Sequence, residues 1–312
     1  MDKAYGIIET VAPLHVGATA GEETGNLNLI FRDQFTQTGI VPGSSIRGRL
    51  RSEMRLERQR YLKEELAKRE ATIPENKVNE DDDNAPTMLQ LMEKKAKELG
   101  VITPPEKDEN LWYGHEAIRG KPDSTTESLI KFEYASILWL PVFCPGRPIV
   151  WVTCPRLLRR YQRIAGITLP DGKLPEPYTG SDDLGRDKLF FNFGFLTIEH
   201  PDQDLSAWFP DGQKRPAVVV GDDEISMIHD MALYRQSRIA MKEDQKVVKN
   251  FFGLEALPEE TFLVFPIAHK PDKEGNEWKL LQENQNKVDL YLGGLESIGF
   301  GHCELTVKRR ND

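Results

Sequence analysis

The sequence predicts an α+β fold with a mainly antiparallel sheet. Stretches of alternating apolar residues are spread along the whole chain, which indicates strands at both ends and in the middle. Helical periodicities fall between them without a regular strand–helix alternation, and no internal repeat is present. A doubly wound parallel sheet requires that alternation, so the irregular order favours α+β.

The charge balance argues against a uniformly basic protein. The 312 residues include 41 Lys and Arg against 50 Asp and Glu, a net charge of −9. A local basic groove can still hold a polyanion if the charges are segregated. The three cysteines show no CxxC spacing, and no long apolar window or leader-like start is present. We therefore expect a cytoplasmic protein with reduced cysteines and no membrane partner.

The N-terminal third begins with strands and continues into a basic helix. Residues 4–17 alternate as a strand interrupted at Pro13, and residues 27–33 form a second short strand. A turn at Pro42 and Gly43 then leads to a helix. Its N-cap is Ser44 or Ser45. Its apolar face carries Ile46, Leu50 and Met54, and its other faces carry Arg47, Arg49, Arg51, Arg55, Arg58 and Arg60.

Residues 56–128 differ in composition from the rest of the chain. Charged helical stretches are joined there by polar loops, one with an acidic run at 80–83. This composition predicts a largely helical insertion that projects from the core. Its second helix has a possible apolar face, which needs either a partner or the protein's own core: Met88, Leu91, Met92 and Leu99.

The remaining chain returns to core-like patterns. Residues 128–143 and 149–153 read as strands, and a helix follows. In that helix Leu157, Leu158, Tyr161 and Ile164 are expected to face inward, and Arg156, Arg159, Arg160 and Arg163 outward. Residues 166–183 are rich in Pro and Gly. Further strands lead to a Gly-rich loop after Leu292 and a last strand.

Common enzyme motifs are missing from the sequence. There is no Walker A motif, no GxSxG, no Rossmann glycine spacing, and no paired histidine motif among the six histidines. The acidic run at 80–83 lacks EF-hand spacing. The sequence therefore predicts no metal site and no bound cofactor.

Five stretches, taken in order, resemble the CRISPR-associated RAMP superfamily. They are VAPLHVG, VPGSSIRGRLR, the central ILWLPVF…PIVWVTCPRLLRR, RIAMKEDQKVVKNFFGLEALPEETFLVF and the closing LGGLESIGFGHCEL. The central stretches are similar to the backbone subunit of type III-B (Cmr) or variant type III effector complexes. Residues 56–128 have no counterpart, which agrees with an insertion.

The resemblance implies a fold and a role. The fold is a ferredoxin-like, RRM-type core formed by residues 1–55 and 129–312. Such subunits stack head to tail with other RAMP subunits and grip guide RNA and its duplex with target RNA, reading backbone and shape. A thumb-like hairpin of the family is expected at 166–183, with Leu169 and Pro177 or Tyr178 as possible wedges. The RNA-binding residues implied are His15, Arg32, Gly43, Ser44, Ser45, Arg47 and Arg51.

The resemblance also locates a catalytic aspartate in the RNA-cleaving relatives, five residues before the residue that matches Arg32. Here that position is Leu27, between two asparagines. An apolar side chain cannot bind a divalent metal or accept a proton. We therefore predict a non-cleaving subunit that needs Mg²⁺ or Mn²⁺ only if a nearby carboxylate, Glu23 or Asp33, restores cleavage.

Three alternatives remain open at this point. The first is the same placement with metal-dependent cleavage through Glu23 or Asp33. The second is a guide-RNA-processing ribonuclease with His15 as the acid–base residue. The third is a protein–protein adaptor in which the charged insertion is the functional part.

Overall fold

The computed structural model describes most of the chain in two compact units. The described residues are 2–17, 27–71, 87–115, 125–168, 173–192, 194–242, 245–279 and 287–310. The larger unit comprises residues 3–46, 132–268 and 285–312, and the smaller unit comprises 1–2, 47–131 and 269–284. The predicted insertion, 56–128, lies within the smaller unit, and its boundaries stay a prediction.

The larger unit is built on one large sheet. The described strands, in chain order, are β1 (Asp2–Thr10), β2 (Leu27–Asn28), β3 (Ile40–Val41), β4 (Ile130–Phe132), β5 (Ala135–Cys144), β6 (Arg147–Thr153), β7 (Thr179–Ser181), β8 (Lys188–Phe191), β9 (Gly194–Thr197), β10 (His200–Gln203), β11 (Ala217–Val219), β12 (Tyr234–Lys242), β13 (Gln245–Ala256), β14 (Phe262–His269), β15 (Lys287–Tyr291) and β16 (His302–Arg309). Strands β2, β12 and β13 form a separate small sheet, β8 and β9 form another, and the remaining strands belong to the large sheet. Neighbours in the sheet follow the order β10-β7-β11-β6-β5-β14-β1-β16-β15.

Most of the described strand pairs are antiparallel. Strand β1 pairs with β16 from Ala4 opposite Arg309 to Thr10 opposite Cys303. The pairs β5–β6, β5–β14 and β15–β16 are also antiparallel. Parallel pairs join β11 to β6 and β10 to β7. The predicted α+β class with a mainly antiparallel sheet is therefore confirmed.

Two helices belong to the larger unit, α4 (Pro155–Ala165) and α5 (Ile225–Ala232). The predicted inward face of α4 is confirmed, since Leu157, Leu158, Tyr161 and Ile164 are all buried. Burial of these side chains contributes about 1.5–3 kcal/mol each relative to exposure. Leu158, Tyr161 and Ile164 join an aromatic core in which Trp139 stacks on Phe209 with ring centroids 4.3 Å apart.

The larger unit also has a long β-hairpin that the sequence analysis did not identify. Strands β12 and β13 pair antiparallel from Tyr234 opposite Ala256 onward, and β2 adds in parallel to β13. The thumb-like hairpin predicted at 166–183 is not present in the described part of that segment, and Leu169 lies outside the described residues. Its one strand, β7, pairs with β10 and β11. Tyr178 is tied to the same neighbours, since its N–H donates to the Val219 carbonyl at 2.7 Å.

The smaller unit contains most of α1 (Gly43–Lys68), together with α2 (Met88–Glu98) and α3 (Glu109–Tyr113). Thr87 closes a capping box with Gln90 at the start of α2. Helices α1 and α2 share an apolar cluster that includes Leu62, Leu66 and Met92. The apolar face of α2 thus packs in its own unit, although Leu99 is 40% exposed. No helix in the described ranges is long and apolar enough to span a membrane.

Candidate functional site

A network of four charged side chains holds Arg32 in the larger unit. The Arg32 Nη2 atom lies 2.9 Å from Asp230 Oδ1 and 3.0 Å from Glu255 Oε2. Arg235 pairs with the same two carboxylates, at 3.2 Å each. Burial opposes ionisation of Asp230, but Arg32 and Arg235 outweigh it and lower the pKa of this carboxyl. The network ties the segment after β2 to the end of α5 and to the β12–β13 hairpin.

His15 meets the same network through the backbone. Its Nδ1 lies 2.7 Å from the Glu255 carbonyl oxygen, and the residue is buried. The Gly294 N–H donates to the His15 carbonyl at 3.1 Å. Gly293 has φ +77°, and a Cβ there would lie 2.1 Å from the His15 oxygen, so a side chain is excluded. The N-terminal motif, Arg32 and the Gly-rich loop therefore come together around Glu255.

A buried histidine supports the turn segment around Arg32, in which Arg32 forms an antiparallel bridge with Gly39. His229 Nε2 accepts the Gly39 N–H at 2.9 Å. Burial, with Arg32 nearby, lowers the pKa of His229 to about 3, so the ring is neutral and can accept this bond. Sequence analysis missed His229, Asp230 and Glu255 as site residues. Their signal is weak, because each is a single polar residue inside an otherwise apolar or mixed segment.

The start of α1 is the predicted phosphate-binding site. Some of its features favour an anion, and others are explained by packing alone. The Pro42 carbonyl accepts the N–H groups of Ser45 and Ile46 at 3.0 and 3.3 Å, and Ser44 is exposed. A Cβ on Gly43 would lie 2.4 Å from the Phe132 carbonyl oxygen, so packing alone requires glycine here. The first turn has no acidic residue. The partial positive charge of the helix start is therefore not offset locally, which suits an anion.

Arg47 and Arg51 have partners inside the smaller unit. Arg47 Nη2 donates to the Tyr113 carbonyl, and Arg51 Nη2 donates to Asn110 Oδ1 at 3.3 Å. Both acceptors belong to α3. These arginines thus hold α3 against α1, and any role in binding phosphate uses their remaining N–H groups. Of the predicted RNA-binding residues, His15 and Arg32 lie around Glu255, Gly43, Ser44 and Ser45 begin α1, and Arg47 and Arg51 bond to α3.

Farther along α1, Arg58 has a structural role. Arg58 is 11% exposed and pairs with Glu93 at 2.8 Å and with Glu109 at 3.1 Å. Glu109 is 3% exposed and also has Arg55 3.7 Å away. Since a buried carboxylate needs compensating charge, these arginines stabilise the smaller unit.

The position expected for a catalytic carboxylate is part of a strand. Leu27 lies opposite Gly253, and Asn28 lies opposite Leu254, where β2 pairs with β13. Leu27 has no oxygen donor in its side chain, and the exposed Asn28 offers only a neutral amide. These residues do not fit a divalent cation.

The two carboxylates named as alternatives differ in what the structure describes. Glu23 lies outside the described residues. Asp33 Oδ1 accepts the N–H groups of Phe35 and Thr36 at 3.0 and 2.8 Å, and the Thr36 hydroxyl at 3.0 Å. Burial opposes ionisation, but these bonds lower the pKa of Asp33 below its usual value. Its carboxylate closes a turn, and no cluster of three or more metal-ligating side chains occurs in the part of the chain that is described.

Comparison with known proteins gives a family and a fold. A family model described as the RAMP superfamily matches residues 7–304, which confirms the family that the sequence motifs indicate. No curated protein sequence matches the chain. Several solved structures match along nearly their whole length.

Three of these structures show how similar the folds are. The crystal structure of oligomeric Cmr4 from Pyrococcus furiosus has a TM-score of 0.61 at 18% identity, with 100% of both chains covered. A chain of the type III-B Cmr-beta complex bound to cognate target RNA has a TM-score of 0.59 at 19% identity, over 98% of this chain and 97% of that one. The crystal structure of Pyrococcus furiosus Cmr4 (Cas7) has a TM-score of 0.55 at 20% identity, over 98% and 99%. At these identities the likeness establishes the fold.

Proposed function

Because this chain belongs to the RAMP superfamily, we propose that it is an RNA-binding, non-cleaving backbone subunit of a type III CRISPR effector. The observation that carries the proposal is the match over residues 7–304, which includes the N-terminal motif and the Gly-rich loop. Those two motifs meet around Glu255 in the structure. The subunit would grip guide RNA and its duplex with target RNA by backbone and shape.

The partners proposed are guide RNA, complementary target RNA and further RAMP subunits stacked head to tail. The proposal is supported by the fold, which is shared with an oligomeric Cmr4 and with a Cmr complex bound to cognate target RNA. A cytoplasmic location follows from the same proposal, since guide RNA and its effector assemble in that compartment.

Each predicted RNA-binding residue has a role under this proposal. The exposed start of α1 at Ser44 would seat one phosphate on backbone N–H groups. Arg47 and Arg51 would add positive charge close to that phosphate. His15 and Arg32 would act indirectly, because both side chains are held in the Glu255 network and set the shape of the groove around it.

We assign the thumb-like hairpin of the family to strands β12 and β13 in place of residues 166–183. The strands pair from Tyr234 to Lys242 and leave the larger unit's sheet as a separate ribbon with β2. Residues 234–238 are exposed and include Arg235 and Arg238. Exposed cationic side chains at the start of β12 suit contact with an RNA duplex.

We propose that this chain does not cleave RNA because position 27 carries a leucine. The position that carries an aspartate in the cleaving relatives has no oxygen ligand here, and Asp33 is engaged in its own turn. Without a carboxylate, this position can neither bind a divalent metal nor accept a proton. Mg²⁺ or Mn²⁺ would be needed only if Glu23 supplies that group.

One experiment tests both parts of the proposal. The chain is purified in its assembled complex, and RNA is extracted from one portion and measured. A 5′-labelled complementary RNA is added to a second portion with Mg²⁺ or Mn²⁺, and the cut positions are mapped. We expect copurified RNA and no cut that depends on Glu23 or Asp33, tested with the double variant E23A/D33A. We also expect Leu27→Asp or Asn28→Asp to create a new cut.

Other outcomes distinguish the alternatives. A cut lost in E23A/D33A, with assembly intact, identifies a metal-dependent nuclease. Cleavage that persists in EDTA and is lost on His15→Ala identifies a guide-processing ribonuclease. A complex that forms without copurifying RNA identifies a protein–protein adaptor.

A further inference from the structure

Helix α4 carries a row of four arginines on one face. Arg156, Arg159 and Arg163 are all exposed, and with Arg160 they occupy positions i, i+3, i+4 and i+7, one face of a helix. The helix has no acidic residue of its own. In a chain with a net charge of −9, four positive charges and no carboxylate on eleven residues form a local positive field.

Helix α1 provides the contrast. Several cations there pair with carboxylates close by in the chain, Arg49 with Glu53, and both Lys68 and the following Arg69 with Glu65. Such mixed-sign faces are ordinary solvated surfaces. Among the described residues no ion pair links Arg159 or Arg163 to a carboxylate, so the charge on α4 remains available for a ligand.

Among the described residues near this row, two carboxylates accept backbone N–H groups and a third pairs with Arg160. Asp222 Oδ1 accepts the backbone N–H of Arg156 at 2.9 Å and so caps the helix start. Asp33 lies close enough for Arg156 to favour its ionised form, but its Oδ1 is bonded within the 33–36 turn. Glu133 lies 3.9 Å from Arg160 and is largely exposed.

Arg160 differs from the other three. Its side chain is 14% exposed, its Nε donates to the Ser136 hydroxyl at 2.9 Å, and its Nη2 donates to the Tyr134 carbonyl at 3.1 Å. Arg160 therefore anchors α4 to the segment before β5. The three exposed arginines are the ones free to meet a ligand.

An exposed aromatic ring lies at one end of the row. Phe35 is 74% exposed, and the Arg156 guanidinium lies over its ring, 5.2 Å from the centroid. The Asp33–Thr36 turn holds the backbone of Phe35 in place. A fixed, solvent-facing ring beside cations is the arrangement on which nucleic-acid bases stack.

We propose that Arg156, Arg159, Arg163 and Phe35 form a second contact surface for single-stranded RNA. The exposed arginines span about 10 Å along the helix, enough for more than one phosphate. Guanidinium groups also bind phosphate oxygens in pairs and stack on bases, which an ammonium does not. This inference rests on the proposed RNA-binding function and adds a contact surface on α4.

The test measures RNA affinity as a function of salt. Full-length chain is titrated onto a fluorescent, unstructured single-stranded RNA, and log Kd is plotted against log salt. The triple variant R156Q/R159Q/R163Q is expected to weaken binding about tenfold or more at physiological salt. It should also reduce the magnitude of the slope by about 2, since each single-strand phosphate contact contributes about 0.7.

Two further variants separate charge from stacking. The matched control K68Q/R69Q/K95Q removes the same charge from exposed residues that have glutamate partners, and we expect no change of slope. Phe35→Ala is expected to weaken binding about fivefold with an unchanged slope, because stacking releases no counterions.

Each remaining outcome has a definite meaning. A triple variant with the slope and affinity of the control overturns the RNA surface on α4. If that variant also loses self-association in sedimentation without RNA, the row is a protein interface instead. Wild-type chain without salt-dependent RNA binding overturns the proposed function and this inference together.

Discussion

Arg32 Nη2 and Glu255 Oε2 lie 3.0 Å apart, although the residues are 223 positions apart in the chain. The Glu255 side chain is 3% exposed and that of Arg32 is 23% exposed. A carboxylate buried to this degree depends on its cationic partners.

We predict that Arg32→Met lowers the free energy of unfolding by about 2–3 kcal/mol, less than a fully orphaned buried charge because Arg235 remains. The measurement is urea unfolding. Arg235→Met is the control, and its loss should be about 1 kcal/mol or less because that side chain is 47% exposed. Equal losses for the two variants would mean that Arg32 has no special role in the network.

A second prediction concerns the glycines of α1. Gly43→Ala places a Cβ 2.4 Å from the Phe132 carbonyl oxygen. Relief of that overlap requires a backbone shift, so we expect a loss of about 1–3 kcal/mol in thermal unfolding. A Cβ on Gly48 would meet no other atom within 4 Å, and Gly48→Ala should raise stability by about 0.5–1 kcal/mol. A neutral Gly43→Ala variant would leave phosphate binding as the reason for glycine there.

The lowered pKa of Asp33 predicts that the folded chain loses stability in acid. The Asp33 pKa is below the usual value in the folded chain, where burial is outweighed by the bonds from Thr36 and Phe35. The unfolded chain therefore takes up the proton first as pH falls, and the stabilisation is lost from about pH 4 downward. Thermal melts of wild type and Asp33→Asn should differ at pH 7 and converge at lower pH. Parallel curves throughout this range would rule out the turn as the source.

The raised pKa of Glu9 predicts the opposite pH dependence of folding stability. Glu9 lies opposite Glu304 across strands β1 and β16. Burial and the charge of Glu304 raise the pKa of Glu9, so its ionised form is disfavoured in the folded chain. Stability from this group is greatest below the unfolded pKa and falls as pH rises through the folded pKa.

The Glu9 effect is measured with Glu9→Gln. We expect a higher melting temperature than wild type at pH 7 and a difference that disappears below about pH 4, where both chains are neutral at this position. An unchanged melting temperature at pH 7 would show that Lys287 and Arg215, which also act on Glu9, already offset the repulsion.

Much of the larger unit was predictable because its signals are local. The inward face of α4 follows from a 3.6-residue period, and Leu158 and Tyr161 are buried as predicted. The two ends of the chain were recognisable from short motifs. The hairpin at 234–256 was missed because its β12 strand begins with exposed polar residues and has no alternating apolar pattern.

Amino-acid order alone determined the fold class, the family and the faces of the helices, since those depend on spacing between near neighbours. The tertiary structure decided which charges are committed. Arg32, Arg47 and Arg58 look alike in sequence, but each is bound by a group brought from a distant segment. Arg159 and Arg163 have no such carboxylate in the described chain. Whether an arginine serves the fold or a ligand depends on burial and distant partners, and these exist only once the chain has folded.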